Sequence, residues 1–289
     1  MNLVILIPIF NDWKSVSKLL EDINSNISNL DCKFSIIIVN DASTEESLIN
    51  NSNLTNIRSI KIINMKENMG HARCIATGLK HIFEKEEFDY VIPMDGDGED
   101  RPEEIKNFVE QIKLIPNKTV VGERIKRSEG LFFKICYSFH KILTLTFTGQ
   151  NIKFGNYTCL TKLTVEKMIN EKSSWCSFSG ALAKLEKDRS TTPSLRGKRY
   201  FGPSKMSFKN LILHSLSIIS VFKTSVLIRS IFFLFIYLFL INQNISLIML
   251  MPVILIILLL VSVFIISKRE NLNEINNSFS NISKIDIIN

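Results

Sequence analysis

Residues 245–267 contain no charged side chain and are predominantly apolar. A helix needs roughly 20 consecutive apolar residues to cross a bilayer, so this segment is long enough to span one. Residues 224–241 form a second apolar segment, in which Arg229 is the one charged residue. This segment also fits a spanning helix if Arg229 lies near its end and extends toward the interface. The sequence therefore predicts two transmembrane helices over residues 224–267, joined by an uncharged connector.

Basic residues flank this helix pair at both outer ends. Lys223 precedes it, and Lys268 and Arg269 follow it. Because cytoplasmic flanks of membrane helices carry an excess of Lys and Arg, we expect both ends of the pair and both termini in the cytoplasm. The alternative, two core helices of a soluble protein, is disfavoured by so long a charge-free run. Residues 268–289 are rich in Asn, Ser and Ile, and we predict a loosely ordered polar tail there.

The charge of the 289-residue chain favours a membrane partner over nucleic acid. The formal net charge is +7, and clusters of Lys and Arg lie upstream of the apolar segments. The sequence contains neither zinc-finger spacing nor a basic stripe interleaved with aromatic residues, the patterns that would indicate binding to nucleic acid. The five cysteines are scattered and form no CxxC pair, which argues against a disulfide framework or a zinc site.

Short apolar runs alternate with helical periodicity through the N-terminal half of the chain. The predicted strands are residues 4–8, 34–39, 57–63, 90–94 and 119–122, and the predicted helices are residues 13–23, 70–83 and 102–115. This alternation predicts an α/β domain with a parallel sheet covered on both faces. Ligands bind at the carboxyl ends of such strands, so Asp41 and Asp95, which follow two of them, are expected along one crevice.

Two further segments have the pattern of amphipathic helices. Residues 128–149 place apolar residues such as Phe139 and Ile142 on one face and Lys134 with Lys141 on another. Such a helix is a candidate for lying in a membrane interface, and the alternative is an ordinary helix packed on the core. Residues 207–223 repeat the pattern beside the first apolar segment, and we predict a second juxtamembrane helix there.

The sharpest local motif is Asp95-Gly96-Asp97-Gly98-Glu99-Asp100, which follows the fourth predicted strand. Carboxylates two residues apart on a turn can share a divalent cation that keeps positions for substrate phosphates. One alternative is an acidic surface turn. A calcium loop is disfavoured because the motif follows a strand and Lys106 occupies the twelfth position, where such a loop needs Glu.

Three motifs together resemble the family 2 glycosyltransferases of the GT-A fold: residues 8–12, Asp41, and the pair Asp95 and Asp97. With the C-terminal apolar pair, the chain resembles the polyprenyl-phosphate glycosyltransferases, the group of dolichyl-phosphate mannose synthase and the bactoprenol glucosyltransferases. The resemblance extends to about residue 267. It implies a Rossmann-like, nucleotide-sugar-binding domain over residues 1–206, with amphipathic interface helices and a C-terminal transmembrane hairpin.

By this resemblance, residues at the strand ends line the nucleotide-sugar site: Pro8, Phe10, Asp12, Asp41 and Asp95. Asp41 would contact the base. Asp95, Asp97 and Glu99 would hold Mg²⁺ or Mn²⁺ beside the nucleotide diphosphate. Glu99 stands where relatives often carry Gln, a departure that bears on metal coordination and donor choice.

The resemblance also implies a site for the phosphate of a lipid acceptor, formed by Arg124, Arg127, Ser204 and Lys205. Arg124 matches an arginine that the family uses near the phosphates, and residues 202–205 resemble its Gly-x-Ser-Lys segment. Guanidinium and ammonium groups suit phosphate recognition. Catalysis would rest on Asp97, Arg124 and Lys205.

The implied reaction is inverting transfer of a sugar from a UDP- or GDP-linked donor to a polyprenyl phosphate. A phosphate is already anionic near neutral pH and needs no general base, and residues 173–180 contain no carboxylate that could serve a hydroxyl acceptor. Two alternatives stay open: transfer to a hydroxyl of a lipid-linked saccharide, and a membrane-anchored nucleotide-sugar-binding protein without catalysis. The four histidines form no cluster in the sequence and receive no catalytic role. Homo-oligomers are expected, because relatives with paired membrane helices often associate.

Overall fold

The computed structural model describes residues 1–47, 49, 53–126, 131–203, 207–241 and 246–288. Eight strands of the described residues form one sheet in the order β7-β5-β6-β4-β1-β2-β3-β8. The strands are β1 Asn2–Ile9, β2 Lys33–Asn40, β3 Ile57–Met65, β4 Tyr90–Pro93, β5 Val120–Lys126, β6 Thr158–Thr161, β7 Ser190–Leu195 and β8 Ile282–Ile288. The five strands predicted from apolar runs correspond to β1 through β5.

The centre of the sheet is parallel, and its edges are not. Strands β4, β1, β2 and β3 pair in parallel, and their apolar runs are buried because helices cover both faces. The predicted parallel sheet is confirmed at the centre, but it does not extend to the edges, because β6 is antiparallel to both β4 and β5. The chain returns to β6 from a long excursion instead of a short crossover helix, and it enters the sheet from the opposite end. This insertion separates β5 from β4.

Helices of the described residues form two layers on the sheet and a separate apolar group. They are α1 Trp13–Ile27, α2 His71–Lys85, α3 Ile105–Leu114, α4 Leu131–Thr148, α5 Lys162–Ile169, α6 Phe178–Leu185, α7 Phe208–Ser220, α8 Lys223–Ile241, α9 Leu247–Ser267 and α10 Leu272–Asn276. Helices α1 and α3 pack on one face of the sheet, and α2, α5 and α6 on the other. The predicted helix over residues 102–115 begins as a 3₁₀ turn, Pro102–Glu104, and continues as α3.

Helices α8 and α9 are long and apolar enough to cross a membrane. They are antiparallel neighbours, since the Tyr237 hydroxyl near the end of α8 donates to the Met249 carbonyl near the start of α9 at 2.9 Å. Helix α7 and the end of α4 pack against them around Phe147, Ile219 and Val263. Their outward side chains are exposed, which is the pattern of helices that face lipid.

Helix α4 presents the amphipathic pattern that its sequence predicts. Leu143 and Phe147 pack against the apolar helices, whereas Phe139 and Ile142 are each 62% exposed. Exposed residues of this size on one face suit an apolar interface. Residues 128–130 of the predicted helix lie outside the described residues.

Arg229 lies in the second turn of α8 and reaches the last turn of α4. Its Nη1 donates to the Thr146 carbonyl at 3.2 Å, and its guanidinium packs against Gly149, which has a φ of +75°. A cation at the last turn of a helix satisfies unpaired carbonyls and interacts favourably with the helix dipole. Arg229 of α8 therefore caps α4 and ties the amphipathic helix to the apolar pair.

The prediction of a loosely ordered polar tail over residues 268–289 is wrong. Residues 272–276 form α10, and residues 282–288 form β8, which pairs antiparallel with β3. The Asn64 side chain donates to Asp286 at 2.8 Å, and the Lys66 N–H donates to the Asn281 carbonyl. β-branched isoleucines make this segment a strand despite its polar surroundings.

The two outer ends of the apolar pair meet beside the α/β domain. Glu270, directly after α9, has a side chain only 4% exposed and accepts a hydrogen bond from Lys223, the first residue of α8, at 2.9 Å. The chain that follows then joins the sheet through β8. Both outer ends of α8 and α9 consequently lie on the side of the sheet domain.

Candidate functional site

The carboxyl ends of β1, β2 and β4 meet at one edge of the sheet and bring the predicted site residues together. Pro8 lies within β1 and is buried, whereas Phe10 just beyond it is 45% exposed. Asp12 is the residue before α1, and its carboxylate accepts from the Ser15 hydroxyl at 2.7 Å. Pro8, Phe10 and Asp12 therefore lie at the carboxyl end of β1, and the crevice along Asp41 and Asp95 stays a prediction.

The acidic loop, residues 95–100, is a tight turn after β4. The Glu99 N–H donates to Asp97 Oδ1 at 3.0 Å, and the Asp95 N–H donates to Asp100 Oδ2 at 3.0 Å. Gly98 has a φ of +86° and supports the ring of Tyr200, leaving no space for a Cβ atom. The turn thus needs glycine both for its backbone conformation and for a close approach.

A basic segment, residues 196–201, lies directly on the acidic loop. Arg199 donates to Asp97 Oδ2 at 2.9 Å and also pairs with Asp12. Arg196 pairs with Glu99. The sequence did not predict these contacts with the acidic loop, because β7, which brings both arginines to it, was not among the predicted strands.

Opposing charges set the protonation of the acidic loop. Burial, followed by repulsion from Asp95 and Glu99, raises the pKa of Asp97 to about 6 against the lowering effect of Arg199. Burial would also raise the pKa of Asp95, but hydrogen bonds and charge from His71, with Asn156, hold that pKa well below its usual range. Asp95 is therefore ionised, whereas burial and the neighbouring carboxylates destabilise the ionised form of Asp97.

Histidines that are scattered in the sequence converge near Asp95. His71 Nε2 lies 3.3 Å from Asp95 Oδ1 and 2.7 Å from Asn156 Nδ2. His71 and His140 of α4 lie within electrostatic range of His214 of α7. Desolvation, followed by the charges of His71, His140 and Arg124, lowers the pKa of His214 to about 4. The fold therefore brings His71 and His140 within electrostatic range of His214, which their spacing in sequence does not indicate.

Arg124, on β5, borders the same cleft. Its side chain is 16% exposed, and its Nη2 lies 4.0 Å from Asp100 Oδ1. The guanidinium packs over Gly155, where a Cβ atom would approach Nη2 to 2.6 Å. The predicted partners Arg127, Ser204 and Lys205 lie outside the described residues.

Asp41 follows β2, and its carboxylate already accepts hydrogen bonds from the backbone. Its two carboxylate oxygens accept the N–H groups of Met69 at 2.7 Å and Gly70 at 2.9 Å, and the residue is only 4% exposed. These bonds fix the loop before α2, as capping carboxylates do. The structure gives Asp41 a structural role, and its contact with a base stays a prediction.

A cavity of about 530 Å³ opens beside Asp12, a size typical of small-molecule sites. It is lined by Asn11, Asp12, Lys14, Glu45, Glu46 and Phe201. The sequence identified Asp12 in this group. Glu45, Glu46 and Phe201 carry no motif, and only the fold brings them to the cavity.

The donor atoms of the acidic loop suit a hard divalent cation, since Asp95 and Asp97 supply carboxylate oxygens from one turn. They are not assembled for one, however. No three carboxylate, thiol or imidazole groups among the described residues are grouped so that they could hold a metal ion. Arg199 pairs with Asp97 and Arg196 pairs with Glu99 instead. These carboxylates therefore fit a metal ion only after the arginines move.

The chain is similar to known proteins over most of its length. The model of the family described as Glycosyl transferase family 2 matches residues 4–176. An undecaprenyl-phosphate 4-deoxy-4-formamido-L-arabinose transferase of Klebsiella pneumoniae is 27% identical over 218 residues, which cover 72% of this chain and 63% of the relative. A dodecaprenyl-phosphate galacturonate synthase of Rhizobium johnstonii is 25% identical over 174 residues, 59% of this chain and 50% of the relative. The chain thus spans less than two thirds of these relatives.

Solved structures share the architecture. Glucosyl-3-phosphoglycerate synthase of Mycobacterium tuberculosis, in complex with Mn²⁺, UDP-glucose and phosphoglyceric acid, superposes with a TM-score of 0.54 at 12% identity, covering 78% of this chain and 79% of that one. TarS of S. aureus with UDP-GlcNAc gives 0.50 at 15% identity, covering 77% and 66%. At such identities the likeness concerns the fold alone, and it confirms the predicted GT-A architecture.

Proposed function

Because the chain belongs to glycosyl transferase family 2, we propose that it transfers a sugar from a nucleotide-sugar to a polyprenyl phosphate. The names of the two curated relatives support this acceptor class. The observation that carries the proposal is that Arg124 lies 4.0 Å from Asp100 of the acidic loop and that both Arg124 and Asp95 lie within electrostatic range of His214. His214 belongs to α7, which packs on the apolar pair, so a lipid phosphate at the membrane would reach the donor.

The nucleotide would occupy the cavity beside Asp12, with its diphosphate toward the acidic loop. A phosphate oxygen of the acceptor would attack C1 of the sugar. The bond from C1 to the diphosphate would break, its electron pair would leave on the diphosphate, and the configuration at C1 would invert. The attacking oxygen carries its charge already, so no general base is required.

Each charged group then has a part in this displacement. Asp95 and Asp97 would hold Mg²⁺ or Mn²⁺, which supplies positive charge to the departing diphosphate. Arg124 would hold the acceptor phosphate by charge-assisted hydrogen bonds, and the predicted residues Arg127, Ser204 and Lys205 would contribute to the same phosphate. We place the reaction at the cytoplasmic face of a membrane, because basic residues flank both outer ends of the apolar pair.

The test is transfer of label from nucleotide-sugars to lipid. Membranes that contain the protein would be incubated with undecaprenyl phosphate, Mg²⁺ or Mn²⁺ and radiolabelled UDP- or GDP-sugars. Label in the organic phase is expected with the wild-type protein, and Asp97→Asn should lose it. Asp31→Asn is the matched control, since Asp31 is an exposed carboxylate just before β2, away from the carboxyl ends of the strands.

The outcome also separates the alternative acceptors. Label that appears only when a lipid-linked saccharide replaces the polyprenyl phosphate would refute the phosphate acceptor in favour of a hydroxyl. Binding of nucleotide without transfer to either acceptor would refute catalysis. Equal activity of the Asp97→Asn and wild-type proteins would refute the role of the acidic loop.

A further inference from the structure

Two arginines of the basic segment pair with two of the four carboxylates of the acidic loop. Arg199 contacts both Asp97 and Asp12 and has a side chain that is 13% exposed. Arg196 contacts Glu99, and both members of that pair are about four-fifths covered, with side chains 21% and 18% exposed. Ion pairs at this depth are screened little by solvent, so each arginine strongly offsets the charge of its carboxylate.

Backbone hydrogen bonds hold the basic segment in a fixed register against the acidic loop. The Gly197 N–H donates to the Glu99 carbonyl at 2.8 Å, and the Tyr200 N–H donates to the Asp97 carbonyl at 3.0 Å. The Tyr200 ring covers Gly98, and its hydroxyl donates to Asp22 at 2.6 Å. The backbones of the two segments therefore align Arg196 with Glu99 and Arg199 with Asp97.

Arg199 disfavours a metal ion at Asp97 as long as it stays paired with that carboxylate. The guanidinium already takes Asp97 Oδ2, while the Glu99 N–H takes Oδ1. A divalent ion at this carboxylate would also lie against a cation of the same sign within a few ångströms. In the described part of the chain the carboxylates are indeed not assembled as a metal site.

We propose that Arg199 is the resident counter-cation of the acidic loop, that Glu99 positions the basic segment through Arg196, and that a metal ion binds Asp97 only when Arg199 leaves. Free metal ions then bind weakly, because they would take from a largely buried guanidinium one of the two carboxylates that it contacts. A metal–nucleotide complex brings phosphate charge with it and removes that penalty. Metal and nucleotide would therefore bind cooperatively.

This inference rests on the proposed role of Asp97 as a metal ligand, and its test reads binding instead of turnover. Full-length protein in detergent would be titrated with Mn²⁺ alone, and free Mn²⁺ would be followed by electron paramagnetic resonance. We expect Arg199→Gln to bind Mn²⁺ about tenfold or more tightly than the wild-type protein, because an uncompensated carboxylate gains most from a cation. Arg199→Lys, which keeps the charge, and Lys198→Gln, which removes an exposed neighbouring charge, should bind Mn²⁺ as the wild type does.

Glu99→Gln separates a positioning role from a ligand role. If Glu99 holds the basic segment, its neutralisation loosens Arg199 and raises the affinity for Mn²⁺. If Glu99 is itself a metal ligand, as the sequence predicts, the same substitution lowers that affinity and overturns its positioning role. The thermal unfolding midpoint of each variant would confirm that the fold is retained.

The remaining outcomes distinguish failure of this inference from failure of the metal site. Equal Mn²⁺ affinity of Arg199→Gln and wild type, with binding abolished in Asp97→Asn, would overturn the counter-cation role and leave the metal site standing. Mn²⁺ binding that survives Asp97→Asn, or that is absent in every protein even with UDP or GDP present, would refute the metal site itself, and the counter-cation role with it.

Discussion

Gly155 is the residue on which the Arg124 guanidinium rests. A Cβ atom there would meet Nη2 at 2.6 Å, which is the far end of a flexible side chain and no part of the backbone. We expect Gly155→Ala to displace Arg124 and lower transfer to the lipid acceptor by about tenfold or more, since small misplacements in a site cost rate steeply. The unfolding midpoint should change little. Kinetics with varied acceptor concentration would measure the effect.

Gly122→Ala is the contrasting substitution. Its Cβ atom would meet the Tyr157 carbonyl at 3.0 Å, so backbone would have to shift, and we expect a loss of stability instead. Full transfer activity in Gly155→Ala would contradict the placement of Arg124 at the acceptor phosphate.

The pKa of His214 makes a prediction about stability and pH. Desolvation, followed by the charges of His71 and His140, lowers that pKa to about 4, whereas an imidazole in an unfolded chain titrates near 6.5. As the pH falls, the unfolded state therefore takes up the proton first, and the stability contributed by neutral His214 is lost between about pH 6.5 and pH 4. Over that window the unfolding midpoint of the wild-type protein should fall further than that of His214→Gln. Parallel curves would show that the folded protein leaves this pKa unchanged.

Residues at strand ends could be predicted from sequence, and residues delivered by distant elements could not. Asp12, Asp41 and Asp95 follow apolar runs whose parallel pairing fixes where they meet. Arg199 reaches Asp97 only because β7 pairs with β5 at the far edge of the sheet, a partnership without a signal in local periodicity. His214 joins the cleft for a similar reason, since its position depends on how α7 packs.

At the scale of elements, β8 is the strand that the composition of the C-terminal segment did not predict. Asparagines and serines before it suggested an unstructured tail, but alternation over residues 282–288 gives a strand that covers the β3 edge. An uncovered edge leaves backbone groups unpaired and invites association. The C-terminal strand therefore completes the sheet domain after the chain has returned from the apolar pair.

Removal of β8 should destabilise the sheet domain. We expect a chain that ends at residue 281 to unfold several degrees below the full-length protein, as the loss of a few kcal/mol would predict, and to aggregate more readily. Ile287→Ser in the full chain is the control, because Ile287 is 63% exposed and its replacement should change the midpoint little. Light-scattering and thermal unfolding in detergent would measure both effects, and an unchanged midpoint on truncation would mean that β8 contributes no stability.

At the scale of the whole molecule, two connections hold both outer ends of the apolar pair, α8 and α9, at the α/β domain. Glu270 joins the start of α8 to the chain after α9, and β8 joins that chain to the sheet. Because both outer ends lie with the α/β domain, we expect α8 and α9 to cross a membrane as a pair if either one crosses it. The basic flanks, read from sequence, favour the cytoplasm for that side.

Single cysteines on the two sides of the membrane would test this arrangement. Leu247, at the first turn of α9, is 86% exposed, and Lys284 of β8 is 67% exposed. In intact cells an impermeant maleimide should label Leu247→Cys and leave Lys284→Cys unlabelled until the membrane is permeabilised, with the wild-type chain measuring background from native cysteines. The reverse pattern would place the sheet domain outside. Equal labelling of both positions in intact cells would mean that α8 and α9 do not span the membrane as a hairpin, and the lipid acceptor would then have to reach the cleft by another route.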